Sequence, residues 1–129
     1  MKGNSGKDPA TVLVVDDNDL VRDLVVEILE SAQFNVLQAD CGRQALELID
    51  EQPTDCILLD YNLPEMKGTE VLAQIRARAI ACRVISMSAQ PLEAGGYLSE
   101  KAGFDGYLRK PFMPDELLKV VSAQVEFLD

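Results

Sequence analysis

Short runs of consecutive apolar residues alternate along this chain with longer segments in which apolar positions recur every three or four residues. Residues 12–15 (VLVV) are too few for a helix and mostly β-branched, so they predict a buried strand. Leu20, Leu24, Val25, Ile28 and Leu29 then recur at helical spacing. Residues 36–37 predict a weaker second strand, and Ala45, Leu46 and Ile49 a second helix closed by Pro53. A third strand falls on residues 56–59, followed by the turn-rich YNLPEMKG and a helix carrying Val71, Leu72 and Ile75. Residues 83–87 and 107–108 predict the fourth and fifth strands. The last helix has Pro114 near its first turn, Asp115 and Glu116 at its N-terminal end, and Leu117, Leu118, Val121 and Val125 on one face.

Between the fourth and fifth strands, PLEAGGYLSEKAG contains Gly95 and Gly96 together. Each costs about 1 kcal/mol relative to alanine in a helix interior, which predicts a short, frayed or mobile segment. Five βα units in series nevertheless imply an α/β fold, a doubly wound parallel sheet with helices on both faces. Right-handed crossovers leave few topologies, and order 2-1-3-4-5 sets strands one and three side by side at the centre. In such sheets ligands bind beyond the carboxyl ends of the strands.

Composition narrows the classes. The chain has 129 residues, 47% of them hydrophobic, enough for one core without disulfides. Residues 10–129 read as one domain, preceded by a flexible leader over residues 1–9 that lacks the apolar stretch of a signal peptide. No apolar run approaches a membrane span, so no membrane partner is expected. Cys41, Cys56 and Cys82 are odd in number and lack metal-ligand spacing; Cys56, inside an apolar run, reads as a reduced, buried thiol, which fits a cytoplasmic protein. A formal net charge of -10 without a basic stripe disfavours direct binding to nucleic acid. The absence of histidine removes Ser-His and Cys-His catalysis, His-ligated metals and any histidine phosphoacceptor within the chain.

Carboxylates, hydroxyls and lysines remain, and they gather at the strand ends. Strand one runs into Asp16 and Asp17, strand three ends in Asp60, strand four in Ser88, and strand five in Lys110 before Pro111. Three carboxylates with no imidazole or thiolate partner suit a hard, oxygen-seeking cation such as Mg²⁺, which would offset their mutual repulsion. Plainer readings exist for each residue alone. Asp16, Asp17 and Asp19 are at home before a helix N-terminus, which for Asp19 is the better account. Asp60 fits an ordinary turn, and Ser88 and Lys110 are unexceptional strand-end residues. Their joint appearance at the ends of strands one, three, four and five favours a site.

The stretches VLVVDDN, ILLDYNLPEMKG, VISMSA and GYLRKPF, at compatible spacing from about Ala10 to Leu128, resemble the receiver domain of two-component response regulators. The resemblance implies a flavodoxin-like (βα)₅ fold with Asp60 as phosphoacceptor. It further implies that Asp17 and Asp60 bind Mg²⁺ directly with the backbone carbonyl of Asn62, that Asp16 acts through a metal-bound water, and that Lys110 contacts the phosphoryl group. The Lys110–Pro111 peptide bond is expected to be cis. The missing histidine places the phosphoryl donor outside the chain, in another protein domain or a small phosphodonor, and the resemblance implies a histidine kinase or histidine phosphotransfer domain.

Family behaviour also implies a switch. The Ser88 hydroxyl would follow the new phosphoryl oxygen, and Tyr107 would rotate into the space left behind; an ordinary half-buried strand aromatic is the plainer reading of Tyr107. The output face would comprise the Gly95–Gly96 segment, the fifth strand and the last helix, with a phosphorylation-dependent dimer possible. Three details depart from the commonest pattern. Serine replaces threonine at Ser88, Asn62 and Gln90 occupy positions that tune acyl-phosphate hydrolysis, and the glycine pair puts a regular helix in doubt.

Two rivals differ in class. VLVVDDNDLV also fits the DxDxV pattern of haloacid-dehalogenase-like phosphatases, with Asp17 as nucleophile and Asp19 as acid/base, although the later acidic motif is missing. The other is an interaction module that never takes phosphate. The receiver reading is not an enzyme acting on other substrates: its chemistry is self-phosphorylation from a donor and self-dephosphorylation. Its downstream partner would be a separate protein target or a fused output domain, and the sequence leaves both open.

Overall fold

The computed structural model describes residues 9–78, 81–89 and 103–126. Five strands, β1 (Thr11–Val15), β2 (Asn35–Ala39), β3 (Cys56–Asp60), β4 (Arg83–Ser88) and β5 (Gly106–Arg109), form one sheet in the order β2-β1-β3-β4-β5. Every neighbouring pair is parallel. The described helices are α1 (Asp19–Ser31), α2 (Gly42–Glu51), α3 (Gly68–Ala77) and α4 (Pro114–Val125). The expected order is thus the observed one. The expected leader, apart from Pro9, lies outside the described residues, as do Gly95, Gly96 and Gln90.

Period-two alternation sends successive strand residues to opposite faces. Leu13, Val15, Ile57, Leu59 and Val84 join Ala45, Ile49, Val71, Leu72 and Ile75 of α2 and α3 in one core layer. Val12, Val14, Cys56, Leu58, Ile85, Met87 and Leu108 join Val25, Leu29, Leu117 and Val121 of α1 and α4 in the other. Burying each large aliphatic side chain stabilises the fold by roughly 1.5–3 kcal/mol, which is why β3, buried at all of its positions, can be wholly apolar until Asp60.

The apolar set that marks α1 divides in the folded chain. Val25, Val26 and Leu29 are buried, whereas Leu20 and Leu24 are 82% and 53% exposed. The helical spacing grouped Leu20 and Leu24 with Val25, Ile28 and Leu29 and left out Val26, but an arc of 100° per residue puts Leu20 and Leu24 on the side away from the sheet. The helix ends in a Schellman motif: the Gln33 N–H donates to the Glu30 carbonyl (2.9 Å) and the Phe34 N–H to that of Leu29 (3.1 Å), with Gln33 left-handed at φ 72°.

The sheet's amino-terminal pole is cross-stitched. Asp105 accepts from the Val84 N–H (2.8 Å), Arg76 Nη2 (2.8 Å) and Arg83 Nη1 (3.2 Å), while its carbonyl accepts from Gln124 Nε2 (3.0 Å). One residue therefore ties β4, β5, α3 and α4 together at the end opposite the candidate site.

Candidate functional site

Asp16 follows directly on β1, and its N–H donates to the Ala39 carbonyl (3.1 Å), prolonging the ladder beyond the strand. Its side chain is fully buried. One carboxylate oxygen accepts from the Asn18 N–H (2.9 Å), and the Asn18 side chain in turn caps α1 by accepting from the Val21 N–H (3.0 Å). Arg22 folds back from the first turns of α1: Nη1 donates to the Asp16 carbonyl (2.6 Å) and Nη2 to Asp19 Oδ1 (2.6 Å). This turn leaves Asp17 at the exposed edge.

Asp60 ends β3, and its Oδ1 accepts from the Asn62 N–H (3.2 Å). Just beyond it the Tyr61 N–H donates to the Met87 carbonyl (2.8 Å), and the Tyr61 carbonyl accepts from the Gly68 N–H (2.9 Å). A Cβ at Gly68 would stand 3.0 Å from the Tyr61 Cα, so glycine lets α3 begin hard against the segment carrying Asp60.

Lys110 follows β5, and its N–H donates to the Ser88 carbonyl (2.8 Å). Nζ lies 2.8 Å from Asp16 Oδ2 and 3.6 Å from Asp60 Oδ2. The Lys110–Pro111 peptide bond is cis, as expected. Ser88 is buried at the end of β4, and Tyr107 is half-buried on β5.

Carboxylate oxygens of Asp16, Asp17 and Asp60 all lie within 4.8 Å of one another. Burial pushes the Asp60 carboxyl up to about 6; Lys110 and the Asn62 N–H pull it down, and Asp16 and Asp17 push it further up. Crowded acids, an all-oxygen donor set and one ammonium make a cradle for a small hard cation beside a nucleophilic carboxylate. The repulsion implicit in the sequence is real here, and Lys110 offsets part of it.

The predicted residues Asp16, Asp17, Asp60 and Lys110 converge, with Ser88 at the same rim. Asp19 stands apart, paired with Arg22 and 78% exposed in its side chain, which leaves the phosphatase reading without its acid/base at the cluster. Sequence reasoning missed Arg22 and Gly68. Arg22 offered the signal of an i,i+3 pair with Asp19, but nothing marked its reach back to a main-chain carbonyl.

A cavity of about 330 Å³ opens beside Lys110, lined by Val21, Leu24, Ala89, Pro111 and Phe112. A larger groove of about 460 Å³, between α1 and α4, contains none of the rim residues.

Comparison with known proteins gives a consistent result. Residues 12–122 match the family described as response regulator receiver domain. The nitrate/nitrite response regulator protein NarL of Escherichia coli (strain K12) is 35% identical over 119 residues, covering 91% of this chain and 55% of that protein. The transcriptional regulatory protein SrrA of Staphylococcus aureus (strain NCTC 8325 / PS 47) is 37% identical over 112 residues, covering 87% and 46% respectively. The chain thus spans about half the length of the curated relatives it matches. Among solved structures, the chemotaxis response regulator CheY4 of Vibrio cholerae matches with a TM-score of 0.84 at 30% identity, covering 90% of this chain and 98% of that one. With the fold, the acidic rim and the family match in agreement over nearly the same residues, this chain belongs to the receiver domains of two-component response regulators.

Proposed function

We propose that Asp60 accepts a phosphoryl group in a Mg²⁺-dependent reaction and that the acyl phosphate switches a partner-binding face. The observation that carries this reading is the meeting of three carboxylates within 4.8 Å, with Lys110 Nζ 3.6 Å from Asp60. Asp16, Asp17 and Asp60, with the Asn62 carbonyl, would hold the Mg²⁺, which when bound supplies charge neutralisation for the transferring oxygens. The rest falls to the chain. Asp60, held by the Asn62 N–H, presents its free oxygen to phosphorus. A P–O bond to Asp60 forms as the donor's P–N bond breaks, and the departing imidazole takes up a proton from solvent. Lys110, now shared between Asp16 and Asp60, would move onto a phosphoryl oxygen. Ser88 would donate to another, and Tyr107 would answer on β5.

The donor is read as a histidine kinase or histidine phosphotransfer domain. Leu20, Leu24 and Met113 are exposed, and Leu24 lines the cavity that also reaches Lys110. An apolar helix face bearing the phosphohistidine fits that surface, since one contact would then bury the leucines and deliver phosphorus to the rim. We assign the output to β5 and α4, acting on a separate protein or a fused output domain. The free thiols, with Cys56 and Cys82 buried, suit a reducing compartment, and we place the domain in the cytoplasm.

The test is intact mass after incubation with acetyl phosphate, with and without Mg²⁺, alongside Asp60→Asn. A single phosphoryl adduct requiring both Mg²⁺ and Asp60 is expected. No adduct, under conditions that modify an established receiver, would leave a phosphate-independent interaction module as the better reading.

A further inference from the structure

Ser86 is fully buried on β4, and among the described residues its Oγ has no hydrogen-bond partner. A hydroxyl offers one donor and two acceptor sites, and leaving all of them unmet away from water is destabilising. Such a group in a well-packed sheet calls for a reason.

Its place in the sheet supplies one. Ile85 and Met87 point into the layer under α1 and α4, so Ser86 points to the opposite face with Val84. In register, Ser86 is flanked by Leu59 on β3 and Tyr107 on β5. Leu108 packs on the α1 and α4 side, which sends Tyr107 to the face of Ser86. Leu59 is apolar. Ser88 shares the face but stands two residues along the strand, about 6.6 Å away and beyond hydrogen-bond reach. Tyr107 is therefore the in-register neighbour able to bond Ser86, and a phenol laid across the sheet spans one strand spacing of about 4.8 Å.

We infer that Ser86 is a positioning residue of the switch: its hydroxyl is unmet in the resting domain and is satisfied by the Tyr107 hydroxyl when that ring turns inward over β4. This rests on the proposed phosphorylation of Asp60. The unmet group disfavours the resting arrangement, so it biases the domain toward the state in which β4 and β5 have rearranged, and donors that act on that state gain from it.

The test is a double-mutant cycle of Ser86→Ala and Tyr107→Phe, read by the rate of adduct formation from acetyl phosphate and by thermal unfolding of the unphosphorylated protein. Ser86→Ala is expected to raise the unfolding midpoint, since it removes the orphan hydroxyl. It should also slow phosphorylation by about fivefold, the scale of a modest coupling between sites. In the Tyr107→Phe background it should slow it no further. An unchanged rate with Ser86→Ala, or the same slowing in both backgrounds, overturns the inference, the latter because a partner other than the tyrosine hydroxyl would then be responsible. Ser86→Cys provides a second variant with a weak donor, expected to fall between serine and alanine; if it is as slow as Ser86→Ala in the otherwise unmodified chain, the inference fails. Absence of any adduct on the unmodified chain would instead count against the phosphoacceptor reading itself.

Discussion

At the scale of single residues, the site is a balance of like charges held close. Asp60 titrates near 6 when folded and near 3.8 in the unfolded chain. Between those values the folded protein binds the extra proton, so Asp60's contribution to metal-free stability is fully present below the unfolded value and is lost as pH rises through about 6. Asp60→Asn is therefore expected to raise the unfolding midpoint in EDTA at pH 7.5, by the equivalent of about 1–2 kcal/mol. The gain should shrink as pH falls toward 4, and an equal gain at both pH values would refute the explanation. Arg22 acts on the same turn through the Asp16 carbonyl. Arg22→Ala should weaken Mg²⁺ binding about tenfold, measured by titration calorimetry, because outer-shell groups that orient ligands carry effects of that size. The acids and Lys110 were legible in the sequence because each stands at a strand end. Arg22 was not, because its target is a main-chain oxygen, which has no sequence signature.

At the scale of elements, propensity and geometry disagree in two instructive places. Gln33 occupies the left-handed position that closes α1, where a side chain is strained and glycine is not. Gln33→Gly is expected to stabilise the domain by about 0.5–1 kcal/mol in urea unfolding, with no change in phosphorylation. A loss of stability would show that the Schellman geometry is not the limiting factor there. The second place is Leu20 and Leu24. Hydropathy identifies them as apolar but says nothing about which side of the helix meets the sheet; that depends on the arc centred on Val25 and Leu29. Helices α2 and α3 were legible down to their buried apolar side chains, though not to the buried Gly42 and Gly68 at their starts, because each carries a single narrow apolar stripe.

At the scale of the whole molecule, the sheet order followed from alternation of strand and helix together with the receiver-like motifs. Asp105 did not announce itself, since a single acid before a glycine reads as a turn. Its partners come from residues 76, 83, 84 and 124, which only folding brings together. Asp105→Ala is expected to cost about 2–3 kcal/mol, leaving two guanidinium groups and the Val84 N–H without their shared acceptor. The rate of adduct formation should change less than twofold at a temperature where the variant remains folded; a large loss of rate would mean that the two poles are coupled. Seen mechanically, the proposed switch would make β4 and β5 a pair of cantilevers rooted at Asp105 and loaded at Ser88. Deflection of such a beam is greatest at its tip and fades toward the root. A partner gripping the pair near Arg109 would feel nearly the full stroke of a small pull at the rim, whereas one gripping near Gly106 would feel almost none.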